Sequence, residues 1–416
     1  MSNPAGGSAP APPVIGITGH YGAGRTSVAA FLARKHGYTS ISMSDLLKNH
    51  PNEQVSTAEL QKRGDRLRSD AGPSALADRA LAQVASGGAK RWVVDGIKNP
   101  AEARCLSDSC DFFLLSVQAR TEQRWERVRG QLNGDRNAFD DVDERDNMER
   151  DVWGVRVDHG QRVADCLPLA DAVIWNDAPY LGVPDGGGQR GTLAQLEGKV
   201  ARLAAIISEP GSEPPTANEI RMCQAYAVSR RSSCPQRKVG AVITNADDRI
   251  LAEGWNEVPE GQPSCLASFG DCYRKKVKSE GMQKLAAVFS CRACGGSLSS
   301  DLTCEACGER HEHLLPRWHN LDYCRALHAE ENAILQVSRY GGIGVENGTI
   351  YTTTLPCALC AKKIAQCGIK TVIFAEPYTV KEADDCFAKA STEVHCFEGF
   401  THRAFERVFH VVDEEE

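Results

Sequence analysis

Two short motifs constrain this chain more than anything else in it. His328-Ala329-Glu330 is followed, 28 residues after His328, by Pro356-Cys357-Ala358-Leu359-Cys360. One imidazole and two thiols make three ligands for a tetrahedral Zn²⁺, and three ligands leave a fourth position for water. Zinc lowers the pKa of bound water from about 15.7 to about 7. Glu330 lies two residues from His328, so it reaches that water and moves its proton without being a ligand. Each motif opens a helical pattern, 328–336 and 357–366. A helix N-terminus favours thiolate beside it. The competing reading is a purely structural zinc site. The full set of three ligands plus a carboxylate favours a reactive one.

The rest of the chain is organised around alternating strands and helices. Apolar runs at Val14–Thr18, Arg91–Asp95, Phe112–Val117 and Ala172–Trp175 alternate with helical stretches, which argues for a parallel α/β sheet. Gly182–Gly191 reads as a loop and Leu193–Ile207 as a helix. Ser208–Pro215 has three prolines and no apolar side chain, a linker composition. The expected division is a disordered leader 1–13, a first domain 14–207, a linker 208–217 and a second domain 218–416. In the second domain a Cys/His-rich insertion occupies about 264–322, and the other elements are a helix near Asn218 and strands at 240–244, 249–254, 349–353 and 371–374. The acidic end, Asp413–Glu416, reads as a tail.

Seventeen cysteines are present, six of them in three Cys-x-x-Cys pairs. The leader lacks the charged start and apolar core of an export signal. Metal-ligand spacing without an export signal points to a reducing cytoplasm and thiolates used for zinc. Cys291, Cys294, Cys304 and Cys307 offer four thiolates, a closed shell and hence a structural zinc ribbon. Unpaired thiols are the alternative. His311, His313, His319, Cys265, Cys272 and Cys324 lie nearby in sequence without an assignable role.

Gly19-His20-Tyr21-Gly22-Ala23-Gly24-Arg25-Thr26 has the frame of a phosphate-binding loop, with Arg25 where lysine belongs. The glycines let backbone N–H groups cradle phosphates at a helix N-terminus. Thr26 and Asp95 fit the two positions that hold Mg²⁺ in a Mg-nucleotide. A degenerate loop that keeps the fold and binds nothing is the other reading, as is a plain turn role for Asp95. The arginine run 120–129 is either a nucleotide-binding lid or a solvated helix face.

Around the first two motifs the sequence is similar to the deoxycytidylate deaminases: Ser232–Ile243, then Gly254-Trp255-Asn256-Glu257-Val258-Pro259, then His328–Ile334 and the Pro-Cys pair. H-x-E with P-C-x-x-C is the signature of zinc nucleobase deaminases. The resemblance implies an α/β/α cytidine deaminase-like domain carrying the zinc-ribbon insertion, with Asn256 touching sugar or base and Arg237 facing phosphate. Turn capping by Asn256 and a solvated Arg237 remain the alternatives. Ser44–Leu47 and Arg63–Arg68 resemble acceptor-side segments of nucleoside-monophosphate-kinase-type P-loop folds. The expected fold class is therefore a P-loop NTPase-like parallel-sheet domain followed by the deaminase-like domain.

From 14 to 410 the chain resembles the bacterial anti-phage deoxycytidine nucleotide deaminases, also through Asp95–Glu102, Asp143–Asp146 and Gly160–Val163. That resemblance implies dCTP or dCMP as substrate and depletion of dCTP during infection; a homo-oligomer is expected, and Arg25 in place of lysine points to a regulatory nucleotide or an assembly role rather than a working kinase. A housekeeping dCMP deaminase and a nucleic-acid editing enzyme compete with it. The charge of -7 and the lack of a basic, aromatic-interleaved stretch argue against a DNA or RNA substrate, while a regulatory RNA stays open. No apolar run approaches the roughly 20 residues of a membrane span.

Overall fold

The computed structural model describes residues 12–88, 90–146, 158–177, 193–300, 302–309, 311, 324–341, 344–377 and 381–410. The expected leader, the 182–191 loop, the acidic tail, His313 and His319 fall largely or wholly outside them. The chain forms two compact units, Met1–Cys223 with Val394–Glu416, and Gln224–Glu393. Among the described residues no helix is long and apolar enough to cross a membrane.

The first unit is built on β1 (Val14–Thr18), β2 (Thr39–Ser42), β3 (Trp92–Ile97), β4 (Phe112–Gln118) and β5 (Ala172–Trp175). Their order in the sheet is β5-β4-β1-β3-β2, all parallel. Strands covered on both faces read as unbroken apolar runs, and every residue of β1 and β4 is buried. Alternate side chains serve opposite faces. Ile15, Ile17, Phe113 and Leu115 pack with Val28, Leu32 and Leu203. Val14, Val94 and Leu114 pack with Leu76, Ala80 and Leu106 on the other side.

Residues read from sequence as the end of the second domain also belong here. Gly399–Phe400 pairs antiparallel with β5, and Phe400, Ala404 and Val408 join the first of the two cores. A strand of two residues has no periodicity to read, which is why sequence pattern does not find it. Glu219 anchors this edge. Its fully buried carboxylate accepts two bonds from Arg202 at 3.0 Å and one from the Phe400 N–H at 2.9 Å. The Thr216 N–H and hydroxyl each add one at 2.8 Å.

Burial alone would raise the Glu219 pKa, but Arg202 and these donors bring it below the usual carboxylate value. A depressed folded pKa means stability that is present above the unfolded carboxylate pKa and lost as pH falls through the folded one. Glu219→Gln is expected to destabilise the first unit by roughly 1–3 kcal/mol, because an amide cannot accept all the bonds the buried carboxylate takes, while Arg202 keeps its pairing with Glu213. The loss should read out as a lower urea midpoint at pH 7, with the gap to the parent chain closing in acid. An unchanged midpoint at pH 7 would show that the anchor carries no stability.

The second unit holds β6 (Gly240–Thr244), β7 (Ile250–Trp255), β8 (Thr349–Thr354) and β9 (Thr371–Glu376), in the order β9-β8-β6-β7. β6 runs antiparallel to both neighbours, and β8 and β9 are parallel. The helix Ala329–Tyr340 lies so close on β7 that a side chain at Gly254 has no room. A Cβ there would sit 2.3 Å from the Ala329 carbonyl and 2.4 Å from the Ala333 nitrogen. The insertion contributes the helix Tyr273–Val288 and, beyond it, short bridges Ser290–Ser297 and Leu298–Cys304. The fold class is as expected: a P-loop domain, then a cytidine deaminase fold.

Candidate active site

His328 and Cys357 each cap a helix. His328 is extended (φ −76°, ψ 159°) before Ala329–Tyr340, and Cys357 (φ −71°, ψ 170°) before Ala358–Gln366. The turn from extended to helical backbone aims both side chains, and Cys360 one turn later, at a common point. His328 Nδ1 lies 3.4 Å from the Sγ of Cys357 and 3.4 Å from that of Cys360. Tetrahedral zinc, with Zn–S near 2.3 Å and Zn–N near 2.05 Å, sets an S···N edge of roughly 3.6 Å. The three residues therefore fit the ion. Glu331 and Lys363 form an ion pair that joins the two ligand-bearing helices, and Asn332 Nδ2 donates to the Trp255 carbonyl at 2.7 Å.

The thiols are already polarised. The hydrogen bond from Cys360, with help from His328, holds the Cys357 thiol down at about 4, against the opposing effect of burial. Cys360 keeps the proton and is pushed up, first by Cys357 and then by burial. His328 is raised chiefly by its bond to Cys357. Glu330 sits in the first turn of its helix, 4% exposed, and burial raises its pKa.

A cavity of about 220 Å³ opens on His328, Glu330 and Cys357. Asn256 lines it, with its side chain turned to the backbone: Oδ1 accepts the Val239 N–H at 2.8 Å and Nδ2 donates to the Arg237 carbonyl at 2.9 Å. It braces the loop that carries Arg237. Arg237 is at the rim, ion-paired with Glu376, which also accepts the Tyr226 hydroxyl at 3.1 Å. Arg274, Cys272 and Cys324 line the same cavity. Sequence reasoning did not place them there, because they flank an insertion whose return point no local pattern encodes.

The ribbon cysteines also converge. Cys291 and Cys307 Sγ are 3.6 Å apart, and Cys294 and Cys304 3.4 Å, near the S···S edge of roughly 3.8 Å around tetrahedral zinc.

In the first unit, the loop Gly19–Thr26 joins β1 to the helix Arg25–His36, and Gly24 takes the φ of +105° that glycine tolerates. Thr26 Oγ1 donates to Asp95 Oδ2 at 2.9 Å. The Arg25 side chain runs back past Gly19 toward β3. Its Nη1 leans on Asp95 Oδ1 at 3.8 Å. Asp95 lies inside β3 rather than at its end, since the strand runs on to Ile97.

Comparison with known proteins fits this division. The family described as "Cytidine and deoxycytidylate deaminase zinc-binding region" matches residues 215–376, and an "AAA domain" family matches residues 15–153. The deoxycytidylate deaminase of Schizosaccharomyces pombe is 25% identical over 371 residues, 88% of this chain and 92% of the relative. That of Enterobacteria phage T2 is 36% identical over 174 residues, 41% of this chain and 86% of the relative. A UPF0200 protein of Methanosarcina barkeri is 30% identical over 149 residues, 34% of this chain and 78% of that protein. With the phage relative matched over nearly its whole length, the chain belongs to the deoxycytidylate deaminase family of zinc-dependent hydrolases, with an AAA-like P-loop domain ahead of the deaminase domain.

Proposed function

We propose that this enzyme hydrolyses free deoxycytidine nucleotides, dCMP and/or dCTP, to deoxyuridine nucleotides and ammonia. The observation that carries this reading is the buried Glu330 carboxylate beside the His328–Cys357–Cys360 cluster, in a small cavity with arginines on its wall. Zinc bound there supplies a water that ionises near neutral pH. Glu330 accepts one proton from that water and gives it to the ring nitrogen, then takes the second proton from the same oxygen and gives it to the amine, which departs as ammonia. A carboxylate whose pKa is raised by burial is suited to hold a proton between two such transfers. Asn256 positions the 237–239 loop, and Arg237 and Arg274 supply positive charge for the nucleotide phosphate.

Depletion of dCTP in anti-phage defence remains our reading of its use in the cell, on the resemblance set out above. The N-terminal unit does not separate that role from thymidylate supply, because the S. pombe relative, named a deoxycytidylate deaminase, is matched over both. We read the first unit as a nucleotide-responsive module rather than a phosphotransferase, because Arg25 replaces the lysine and turns to Asp95.

Incubation with dCMP, dCTP, CMP, CTP and a single-stranded oligonucleotide tests the substrate class. Uracil is expected from a deoxycytidine nucleotide, with the oligonucleotide untouched. Conversion in the oligonucleotide without any in dCMP or dCTP would overturn the reading. The ratio of initial rates on dCTP and dCMP separates depletion from thymidylate supply.

A further inference from the structure

The ribbon holds more donors than one zinc needs. Its second knuckle continues as Cys307-Gly308-Glu309-Arg310-His311. This stretch doubles back on the chain before it. The Cys304 N–H donates to the Glu309 carbonyl at 2.8 Å, and the His311 N–H donates to the Leu302 carbonyl at 2.9 Å. Residues two apart in extended backbone share a face. Glu309 and His311 therefore project to the same side, and Cys291 lies there too.

The three side chains meet. Cys291 Sγ lies 3.8 Å from Glu309 Oε2, and a ring nitrogen of His311 completes a set whose donor atoms are all within 4.8 Å of one another. Donors around one tetrahedral zinc stand roughly 3.4–3.6 Å apart. Glu309 is exposed, so rotation of its side chain closes the difference. Cys291 and His311 are held in place by burial, at 3% and 1% exposed.

Charge favours a cation at this point. Four thiolates already close the shell of the ribbon zinc, so Glu309 and His311 are surplus to it. With that zinc bound, Cys291 is a thiolate. The Glu309 carboxylate then places a second anion beside it. Two anions this close raise each other's energy unless positive charge stands between them. A thiolate sulfur has lone pairs enough to bridge two ions, and a neutral imidazole is a further donor.

We propose that Cys291, Glu309 and His311 form a further divalent-cation site, fused to the ribbon through Cys291 as a shared thiolate. A mixed sulfur, nitrogen and oxygen set suits Zn²⁺ or Co²⁺ rather than Mg²⁺ or Ca²⁺. Three donors leave the fourth position to water, so this ion exchanges with solution while the closed ribbon zinc does not. When bound, it clamps the returning strand to the first knuckle. The proposal rests on the ribbon zinc and is independent of the deaminase substrate.

Cobalt titration of the full chain, isolated with zinc in the active site and the ribbon, tests it. Co²⁺ binds such donors less tightly than Zn²⁺ and leaves the resident zincs in place, which metal analysis verifies. One further Co²⁺ per chain is expected, with the visible bands of tetrahedral cobalt and a thiolate-to-metal charge-transfer band. Glu309→Gln and His311→Ala should each weaken that binding at least about tenfold, with the resident zincs retained. Glu309→Gln changes an exposed side chain, so it reads the site even where His311→Ala disturbs the ribbon. Absence of the tetrahedral cobalt signal would overturn the proposal, as would a signal that Glu309→Gln leaves unchanged. Loss of a resident zinc from His311→Ala would make His311 a ligand of the ribbon zinc itself, and would also overturn it.

Discussion

Glu330→Ala is expected to retain the active-site zinc and to lower deamination by at least about 10²–10⁴-fold, the contribution of a general acid/base. The ligands to the metal come from His328, Cys357 and Cys360, so removing the carboxylate subtracts nothing from the coordination shell. Stability should change little, since alanine is a strong helix former in the first turn of Ala329–Tyr340. Metal analysis beside a rate assay separates the outcomes. Loss of zinc would make Glu330 part of the metal site, and near-normal turnover would remove it from the chemistry.

Cys291→Ser is expected to lower the zinc content from two per chain to one and to unfold the ribbon before it changes the chemistry. Among the described residues, Leu298 and Leu302 cluster with Cys291, Cys304, Leu285 and Ala286, too small a core to order the segment unaided. Structural zinc sites of this kind supply about 10–16 kcal/mol of apparent binding energy, which here is folding energy. Protease sensitivity between 290 and 311 should rise sharply, and the first thermal transition should fall. A variant that stays folded and active, with one zinc per chain as in the parent, would show that the four thiols hold no metal.

Local spacing is what made the main features legible. His328 and Glu330 are two residues apart, and Cys357 and Cys360 are one helical turn apart, so each half of the cluster can be read from a short window. The buried strands β1 and β4 were readable for a similar reason, since they are short apolar runs between turn signals. β2 was not, because Thr39 and Ser40 are exposed and the strand reads as a polar turn. The helix Thr57–Ala71 buries Gln61, Gly64, Asp65 and Arg68 rather than an apolar stripe, so hydrophobic period does not find it. The contacts that tie distant elements together within each unit have no local signature at all. Glu331 meets Lys363 across 32 residues, and Gln61 meets Asp146 across 85.

The return of the chain to β5 after residue 393 makes the deaminase half an interruption of its neighbour and not a module appended to it. Cutting at the Pro-rich linker would separate the two in sequence only. The severed N-terminal piece would expose β5 as a bare edge, and unpaired edges recruit other strands. The severed C-terminal piece would carry Phe400, Ala404 and Val408 away from the core that buries them. Recombination that exchanges one half for a homologue must therefore carry the last stretch with the first half. A deaminase half standing alone would need those three apolar positions removed or made polar to keep them from recruiting another surface.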